Sequence, residues 1–323
     1  MKHASRRSVK KNKSKFNDNI FFNYLNEDII KSLIDKEEFY KTYSNSCLDF
    51  PKTLYYDCKS NEKIKLNFDF PVILKPSNVV IYNKLEFEGK KKIYKIDTKE
   101  ELDKVIKLIS QTDYKDTLII QEYIPGDDSH LFDSVVYCDK NGNVNLISLA
   151  QIGLQEHNPN MVGNAAVLIN GFSTFNVDKD VICSKIKSFM EEIGYVGFAE
   201  FDLKFDERDG KLKVLEINAR QGRCSYYVTM CGHNLVKMLV DDLFLNKKTE
   251  LTMVNDKVML SFVNKTIIKK YVKNEVFKKE ALKLYKKSVN PLKYSKDFSI
   301  YRFLLYIKRD KNYKKSYLNY KWD

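Results

Sequence analysis

The sequence has little of what zinc-binding, disulfide-linked or membrane-spanning proteins need. It contains four histidines and six cysteines in 323 residues, and the cysteines are scattered singly without any CxxC pair. Zinc sites and disulfide frameworks depend on closely spaced ligands of these types, so we expect reduced, buried thiols instead. A catalytic Cys–His pair stays open as an alternative. No apolar run reaches the roughly 18 residues that a membrane span requires.

Two further absences concern nucleotide binding and targeting. The chain has neither a P-loop GxxxxGK[ST] nor a Rossmann GxGxxG, so a nucleotide would have to bind by another route. No apolar stretch with a cleavage site follows the basic N-terminal residues, as a signal peptide would require. We therefore expect a cytoplasmic protein. A composition of 43% hydrophobic and 31% charged residues is typical of a globular chain, and the length suggests two domains or subdomains.

The net charge of +13 admits two interpretations. A basic surface can attract an anionic ligand, such as a nucleotide, a nucleotide-linked substrate or nucleic acid. Alternatively, the lysines are spread over solvated faces, which their dispersal among tyrosines and asparagines favours. No recognition motif accompanies the charge, so nucleic-acid binding is kept only as a weaker alternative.

Periodicity and turn signals predict an α+β fold. An apolar stripe predicts one helix over residues 27–43, and Thr98 with Glu101 forms a capping-box pattern that begins a second helix. Further helices are expected over residues 178–193 and 234–245. The pattern also predicts strands at residues 70–74, 117–124, 131–138, 144–151, 196–205 and 211–218. Gly, Asn and Pro predict an irregular loop over residues 152–176, and the last seventy residues suggest helix and loop.

The hairpin over residues 197–220 carries the strongest chemical signal, in the sequence GFAEFDLKFDERDGKLKVLEINAR. Side chains alternate between the two faces of a strand. One face of the first strand should therefore carry Glu200, Asp202 and Lys204. One face of the second strand should carry Leu212, Val214, Glu216 and Asn218, with Arg220 continuing the line.

In matching register, Asp202 would face Glu216 and Asn218 across this hairpin. Two carboxylates and an amide oxygen form a hard-oxygen set that suits Mg²⁺. Arg220 at the end of the line can hold a phosphoryl oxygen in a bidentate manner. The alternative is a solvated strand face that carries ordinary charges.

Two earlier segments place polar groups at the ends of apolar strands. Lys75 ends the run PVILK, where a lysine either extends to solvent or points into a site that needs a cation. The segment IIQEYIPGDD over residues 119–128 ends an apolar strand with a hinge, whose backbone can bind a flat base. An acid a few residues later can accept hydrogen bonds from ribose hydroxyls.

In this order, the blocks FPVILKP, IIQEYIPGDD and GFAEFDLKF…VLEINARQG resemble the ATP-grasp superfamily over residues 30–245. The resemblance implies two α+β subdomains that clasp ATP. It implies phosphate contacts from Lys36 and Lys75, adenine binding by Gln121 and the hinge Glu122–Tyr123–Ile124, and ribose binding by Asp128. It also implies Mg²⁺ or Mn²⁺ ligation by Asp202, Glu216 and Asn218, with Arg220 and Lys75 assisting catalysis.

The segment EINARQGRCSYYVTMCGHNLVKMLVDDLF and the pattern KPSN…FEGKKKIY are similar to the branch that contains bacterial D-aspartate ligases. The resemblance implies a ligase that activates a carboxylate as an acyl phosphate and joins it to an amine. In that branch D-aspartate is attached to the lysine side chain of a UDP-linked peptidoglycan precursor. A different amino acid as the donor is an alternative within the same class.

Three departures from the superfamily pattern are visible. Gln121 stands where many members carry glutamate, and residues 76–92, where a glycine-rich flap is usual, contain only Gly89. About 26 residues precede the resemblance, where superfamily ligases usually have an α/β domain. We therefore also consider a truncated, catalytically impaired nucleotide-binding protein, although the phosphate-binding residues are intact.

The expected division of the chain has five parts. Residues 1–26 are a basic tail or the remnant of a preceding domain, and residues 27–70 are a linker helix and a lead-in segment. Residues 71–124 form the small subdomain, 125–247 the large subdomain with the metal site, and 248–323 a basic, aromatic C-terminal segment. Substrate pockets are expected at residues 152–170 and 221–227, where Arg223 is expected to hold a second carboxylate.

Overall fold

The computed structural model describes residues 27–60, 64–158, 161, 163–293, 296 and 299–320. The basic tail predicted over residues 1–26 lies outside the described residues. The described part of the chain forms two sheets, one of four strands and one of eight. Among the described helices, none has both the length and the apolar character that crossing a membrane demands.

The small sheet is antiparallel, with the strand order β1-β4-β2-β3. Its strands are β1 (Thr53–Asp57), β2 (Val72–Pro76), β3 (Tyr94–Ile96) and β4 (Thr117–Glu122). Two helices accompany it, α3 (Val79–Asn83) and α4 (Lys99–Ser110). As the capping pattern predicts, Thr98 Oγ1 accepts a hydrogen bond from Glu101 N at 3.2 Å and begins α4. The buried face of α4 then packs on the sheet.

The large sheet has the main order β10-β9-β5-β7-β8-β12. Its strands are β5 (Leu131–Cys138), β6 (Val144–Ser148), β7 (Ala150–Gln155), β8 (Ala165–Asn170), β9 (Gly197–Asp206), β10 (Lys211–Asn218), β11 (Thr252–Val254) and β12 (Val258–Ser261). β6 pairs antiparallel with β5 and parallel with β11. The expected domain boundaries stay predictions, although β1 joins the small sheet and β12 joins the large one.

The remaining helices are α1 (Glu27–Ile34), α2 (Lys36–Tyr43), α5 (Lys179–Glu192), α6 (Tyr226–Met230), α7 (Leu235–Leu243), α8 (Lys265–Tyr271), α9 (Glu275–Leu284) and α10 (Ile300–Asn319). The prediction of one helix over residues 27–43 was wrong. The Asp35 side chain accepts hydrogen bonds from Glu37 N and Glu38 N, so a new helix begins at that point. This break makes Lys36 the first residue of α2.

Two other expectations from the sequence were wrong. The loop predicted over residues 152–176 contains the end of β7 and the whole of β8, and β8 is buried along its entire length. Its edges pair with β7 and β12, and its side chains divide between two hydrophobic clusters, so both faces are covered and no polar alternation marks it. The strand predicted over residues 144–151 is divided, because β6 and β7 pair with different parts of β5.

Candidate active site

The β9–β10 hairpin places acidic side chains on one face of the large sheet. As the alternation predicts, Asp202 lies directly opposite Glu216, and Glu200 lies opposite Asn218. The next strand inward, β5, adds Asp133 opposite Asp202. A row of carboxylates therefore crosses three strands on the same face.

The expectation that Leu212 and Val214 share a face with Glu216 and Asn218 was wrong, because both lie on the core face. A bulge lies between Val214 and Glu216, so Val214 pairs with Leu203 in the core while Glu216 pairs with Asp202 on the other face. The extra residue, Leu215, directs its carbonyl to the Tyr40 hydroxyl, which donates a hydrogen bond at 2.5 Å. A bulge adds one residue to one strand, which strict alternation cannot anticipate.

The two paired carboxylates have opposite electrostatic environments. Lys36 Nζ lies 2.6 Å from Glu216 Oε2 and lowers the pKa of Glu216 to about 2. Burial, together with the charges of Glu216 and Glu200, raises the pKa of Asp202 well above its usual range. The only hydrogen bond described for the Asp202 carboxylate comes from Asn218 Nδ2 at 3.1 Å. Of the two carboxylates, the ionised form of Asp202 would therefore be stabilised more by an added cation.

The chemistry of Asp202, Glu216 and Asn218 fits Mg²⁺, because all three can offer hard oxygen atoms. The Asn218 amide donates to Asp202, and its Oδ1 accepts from Arg220 Nη2 at 3.0 Å. Rotating the amide by half a turn would direct its oxygen towards a cation beside Asp202. Lys36 supplies positive charge to Glu216 in the structure.

Lys75 approaches this cluster from β2 of the small sheet. Its side chain is buried, and Nζ donates to the Tyr40 hydroxyl at 3.2 Å. Among the described residues, Lys75 forms no ion pair within 4 Å. Burial and the charge of Lys36 lower the pKa of Lys75 well below its usual value, although Glu216 acts in the opposite direction. A buried ammonium without a carboxylate partner is costly, and an anionic ligand would relieve that cost.

Lys92 belongs to the same electrostatic cluster, although the sequence reasoning missed it. Burial and the charge of Lys36 lower the pKa of Lys92, while Glu216 and Asp202 raise it. Lys36, Lys75 and Lys92 all act to lower the pKa of Glu216. The signal that could have found it is the run Lys90–Lys92, which follows Gly89 in the expected flap.

The predicted adenine hinge follows the end of β4. Gln121 Nε2 donates to Thr53 Oγ1 at 2.8 Å. The backbone N–H groups of Glu122 and Tyr123 donate to the carbonyls of Lys52 and Pro71, at 3.0 and 3.2 Å. These two N–H groups are therefore engaged within the protein. The expected base contacts are better assigned to the Glu122 carbonyl and the Ile124 backbone.

The predicted ribose ligand, Asp128, is held by the end of β7. Its two carboxylate oxygens accept from Gln155 N at 2.8 Å and Gln155 Nε2 at 2.7 Å. Lys204, on the Asp202 face of β9, lies near this end of the site. Burial lowers the pKa of Lys204 to about 8, although the charges of Asp128, Asp127 and Asp206 act to raise it. The Lys204 ammonium also lies 5.1 Å from the Tyr123 ring centre.

Arg220 and the segment after it wrap around Glu200. Arg220 Nη1 lies 3.5 Å from Glu200 Oε2, and Cys224 Sγ lies 3.0 Å from Glu200 Oε1. Gly222 packs so closely that a Cβ atom there would be 1.6 Å from the Glu200 carboxylate. Burial raises the pKa of the neighbouring Asp133 to about 6. The structure thus joins Arg220 to the acidic face through Glu200 and Asn218.

The structure brings one group of predicted residues into a single cluster, which contains Lys36, Lys75, Asp202, Glu216, Asn218 and Arg220. Gln121 lies on the same face of the small sheet as Lys75 and interacts with Tyr40, whose hydroxyl Lys75 contacts. The rest of the hinge and Asp128 are described by their own contacts. The ligand-binding roles of both groups stay predictions.

Sequence comparison finds one relevant curated relative. The chain is 35% identical over 243 residues to D-aspartate ligase from Enterococcus faecium. The match covers 74% of this chain and 56% of the relative, so the chain spans little more than half of that protein's length. No protein-family model matches the chain.

Solved structures share the fold at low sequence identity. The biotin carboxylase domain of the Hydrogenobacter thermophilus 2-oxoglutarate carboxylase is 18% identical, with a TM-score of 0.56, over 79% of this chain and 54% of that one. Biotin carboxylase from Campylobacter jejuni is 15% identical, with a TM-score of 0.56, over 74% and 52%. N5-carboxyaminoimidazole synthetase from Staphylococcus aureus is 13% identical, with a TM-score of 0.54, over 79% and 61%. These similarities establish the ATP-grasp fold.

Proposed function

This chain has the ATP-grasp fold and is a homologue of D-aspartate ligase, and from that premise we propose that it is an ATP-dependent carboxylate–amine ligase. One observation carries the proposal. Lys75 of the small sheet is buried, has no ion-pair partner among the described residues, and acts electrostatically on the Glu216 carboxylate of the large sheet. A phosphate chain with a bound cation supplies the charges that this arrangement needs.

In the proposed complex, Lys36, Lys75 and Lys92 bind the ATP phosphates, and Asp128 binds the ribose. Asp202, Glu216 and Asn218 hold Mg²⁺ or Mn²⁺, which neutralises phosphate charge when bound. Lys36 forms an ion pair with Glu216 in the structure, and its ammonium would be available to a phosphate oxygen if a cation took its place beside Glu216.

The reaction has two steps. A carboxylate oxygen of the donor attacks the γ-phosphorus, the bond to the bridging oxygen breaks, and ADP leaves with an acyl phosphate formed. The amine then attacks the acyl carbon, phosphate leaves, and the nitrogen loses a proton. We assign to Arg220 the stabilisation of charge on the transferred phosphoryl group, so the proposed catalysis is mainly positioning and electrostatic stabilisation. No protein nucleophile is needed.

Homology to D-aspartate ligase supports an amino acid as the carboxylate donor, and D-aspartate is the first candidate. For the amine acceptor we propose the lysine side chain of a UDP-linked muropeptide. The requirement for ATP and for a nucleotide-linked acceptor makes the cytoplasm the expected location.

The test is ADP release with Mg²⁺-ATP, hydroxylamine and a panel of D- and L-amino acids. Hydroxylamine traps an acyl phosphate without the true acceptor, so we expect a hydroxamate with D-aspartate. Glu216→Ala should abolish ADP formation and leave the circular dichroism spectrum unchanged, whereas the exposed control Glu250→Ala should keep full activity. Full activity in Glu216→Ala would remove the metal-site assignment. ATP binding without turnover of any acid would favour the catalytically impaired nucleotide-binding protein.

A further inference from the structure

A network of four side chains joins the segment after Arg220 to the C-terminal helix α10. Arg223 Nη2 donates to Glu156 Oε1 at 2.6 Å and to the Tyr313 hydroxyl at 3.1 Å. The same hydroxyl donates to Glu156 Oε1 at 2.8 Å and accepts from Arg309 Nη2 at 3.0 Å. Arg223 therefore contacts the Glu156 carboxylate directly, and Arg309 is linked to it through the Tyr313 hydroxyl.

Both ends of this network are tied to the candidate active site. Arg223 follows Arg220 by three residues, and the intervening Gly222 packs against the Glu200 carboxylate that Arg220 approaches. Glu156 directly follows Gln155, which holds both oxygens of Asp128. The network therefore lies beside the candidate active site.

The charges of the network leave one positive charge uncompensated. Arg223 and Arg309 are both cationic, Glu156 is the only acid among the four, and burial raises the pKa of Tyr313. Arg223 Nη1 is buried and has no hydrogen-bond partner among the described residues. Leaving a buried donor unsatisfied is unfavourable, so a ligand oxygen would be favoured there. About a quarter of the Arg223 side chain, 28%, stays exposed and offers a route of approach.

We propose that this network binds the α-amino-acid end of the donor. Arg223 and Arg309 bind its α-carboxylate, and Glu156 binds its α-ammonium group. The ion pair between Arg223 and Glu156 separates to admit this zwitterion. This inference rests on the proposed ligase function. It assigns the α-carboxylate and the α-ammonium group of the donor to particular side chains, and it leaves the second, side-chain carboxylate to be presented to Arg220.

The test compares three donors in the hydroxamate assay. Aspartate carries all three groups, β-alanine lacks the α-carboxylate, and succinate lacks the α-ammonium. Arg309→Met should raise the KM for aspartate about 10- to 100-fold, since a hydrogen bond to a charged group is lost, and change the KM for β-alanine less than about twofold. Glu156→Gln should raise the KM for aspartate and β-alanine, but not for succinate. The control Lys308→Met alters an exposed neighbour on α10 and should change none of them.

Melting temperatures identify any variant that fails to fold, and Tyr313→Phe then serves as the milder substitution with the same expected direction. Calorimetric titration of D- and L-aspartate, with Mg²⁺-ADP present, separates this inference from the proposed function. Turnover with equal KM effects on all three donors overturns the inference and leaves the function standing. Aspartate binding that Arg309→Met removes, without any turnover, supports the inference and refutes the function. If neither aspartate binding nor turnover is observed, both the inference and the proposed function are overturned.

Discussion

Lys75 shows at the level of one residue how a binding requirement conflicts with stability. Its ammonium is buried against Tyr40 without a carboxylate partner among the described residues, and its pKa is lowered well below the usual value. Such a position is expensive unless a ligand brings negative charge. The unfavourable burial of Lys75 therefore indicates a phosphate site. The apolar run before Lys75 in the sequence left open whether this lysine points into a site or extends to solvent.

Replacing Lys75 with Met should stabilise the ligand-free protein and weaken nucleotide binding. Removing the buried charge should raise the free energy of unfolding at pH 7 by about 1–4 kcal/mol. Nucleotide affinity should fall at least about tenfold, because a charge-assisted contact to phosphate is lost. Urea unfolding and nucleotide titration check the two effects, with the exposed Lys107→Met as the matched control.

The same variant should change how stability depends on pH. The pKa of Lys75 is lower in the folded than in the unfolded state, so the unfolded chain binds more protons between that lowered pKa and the ordinary value of 10.5. Stability contributed by this residue must therefore rise with pH across that window. The rise should be smaller in Lys75→Met. An identical pH profile in both proteins would contradict the buried, unpaired position.

Two local irregularities shape the site at the level of elements. The break at Asp35 begins α2 and sets Lys36 against Glu216. The bulge at Leu215 returns Glu216 to the Asp202 face after Val214 has packed in the core. Each irregularity is held by a hydrogen bond from another residue, the bulge by the Tyr40 hydroxyl.

Deleting Leu215 should keep the strand pairing and impair catalysis. Without it, Val214 still pairs with Leu203 and Glu216 with Asp202, because the bulge contributes the extra residue. The Tyr40 hydroxyl loses its acceptor, which should cost about 1–3 kcal/mol of stability. The deletion should also change the direction of the Glu216 side chain, and this misplacement should lower kcat at least about tenfold.

Stability and ADP release measured together test this deletion. Tyr40→Phe removes the same hydrogen bond and keeps the bulge, so it is the comparison for unfolding. Full kcat in the deletion variant would mean that the bulge does not aim Glu216.

At the level of the whole molecule, the two sheets carry opposite charges towards each other. The small sheet supplies Lys75, and the large sheet supplies Asp202 and Glu216. A ligand that carries both phosphate and a divalent cation should therefore link the two sheets. Binding to the folded state alone must then stabilise the entire chain.

Mg²⁺-ADP should accordingly raise the melting temperature more than ADP with a chelator does. At one hundred times its Kd, a ligand adds about 2.7 kcal/mol to the free energy of unfolding. In Glu216→Ala the increment due to Mg²⁺ should disappear, while part of the increment due to ADP remains through Lys36 and Lys75. Thermal melts with ADP, Mg²⁺-ADP and Mg²⁺ alone measure each increment. Equal melting temperatures with and without Mg²⁺ in the unaltered protein would contradict the metal site.

Sequence alone determined the features that depend on near neighbours. The cap at Thr98 and the β9–β10 hairpin follow from local hydrogen bonding and from the alternation of side chains along a strand, whereas the bulge at Leu215 decides that Asp202 pairs with Glu216. The cap and the hairpin are encoded within a few residues of each other. The order of the three sequence blocks also predicted, through its resemblance to a known superfamily, the fold that the structural comparisons establish.

Only the tertiary structure decided the features that join distant parts of the chain. Tyr40 donates a hydrogen bond to a carbonyl 175 residues away, and β8 is buried because a separate hydrophobic cluster packs on each of its faces. Tyr313 of α10 reaches Glu156 across 157 residues and completes the network around Arg223. No local pattern specifies such contacts, because packing of whole elements, rather than the spacing of neighbouring residues, brings these side chains within bonding distance.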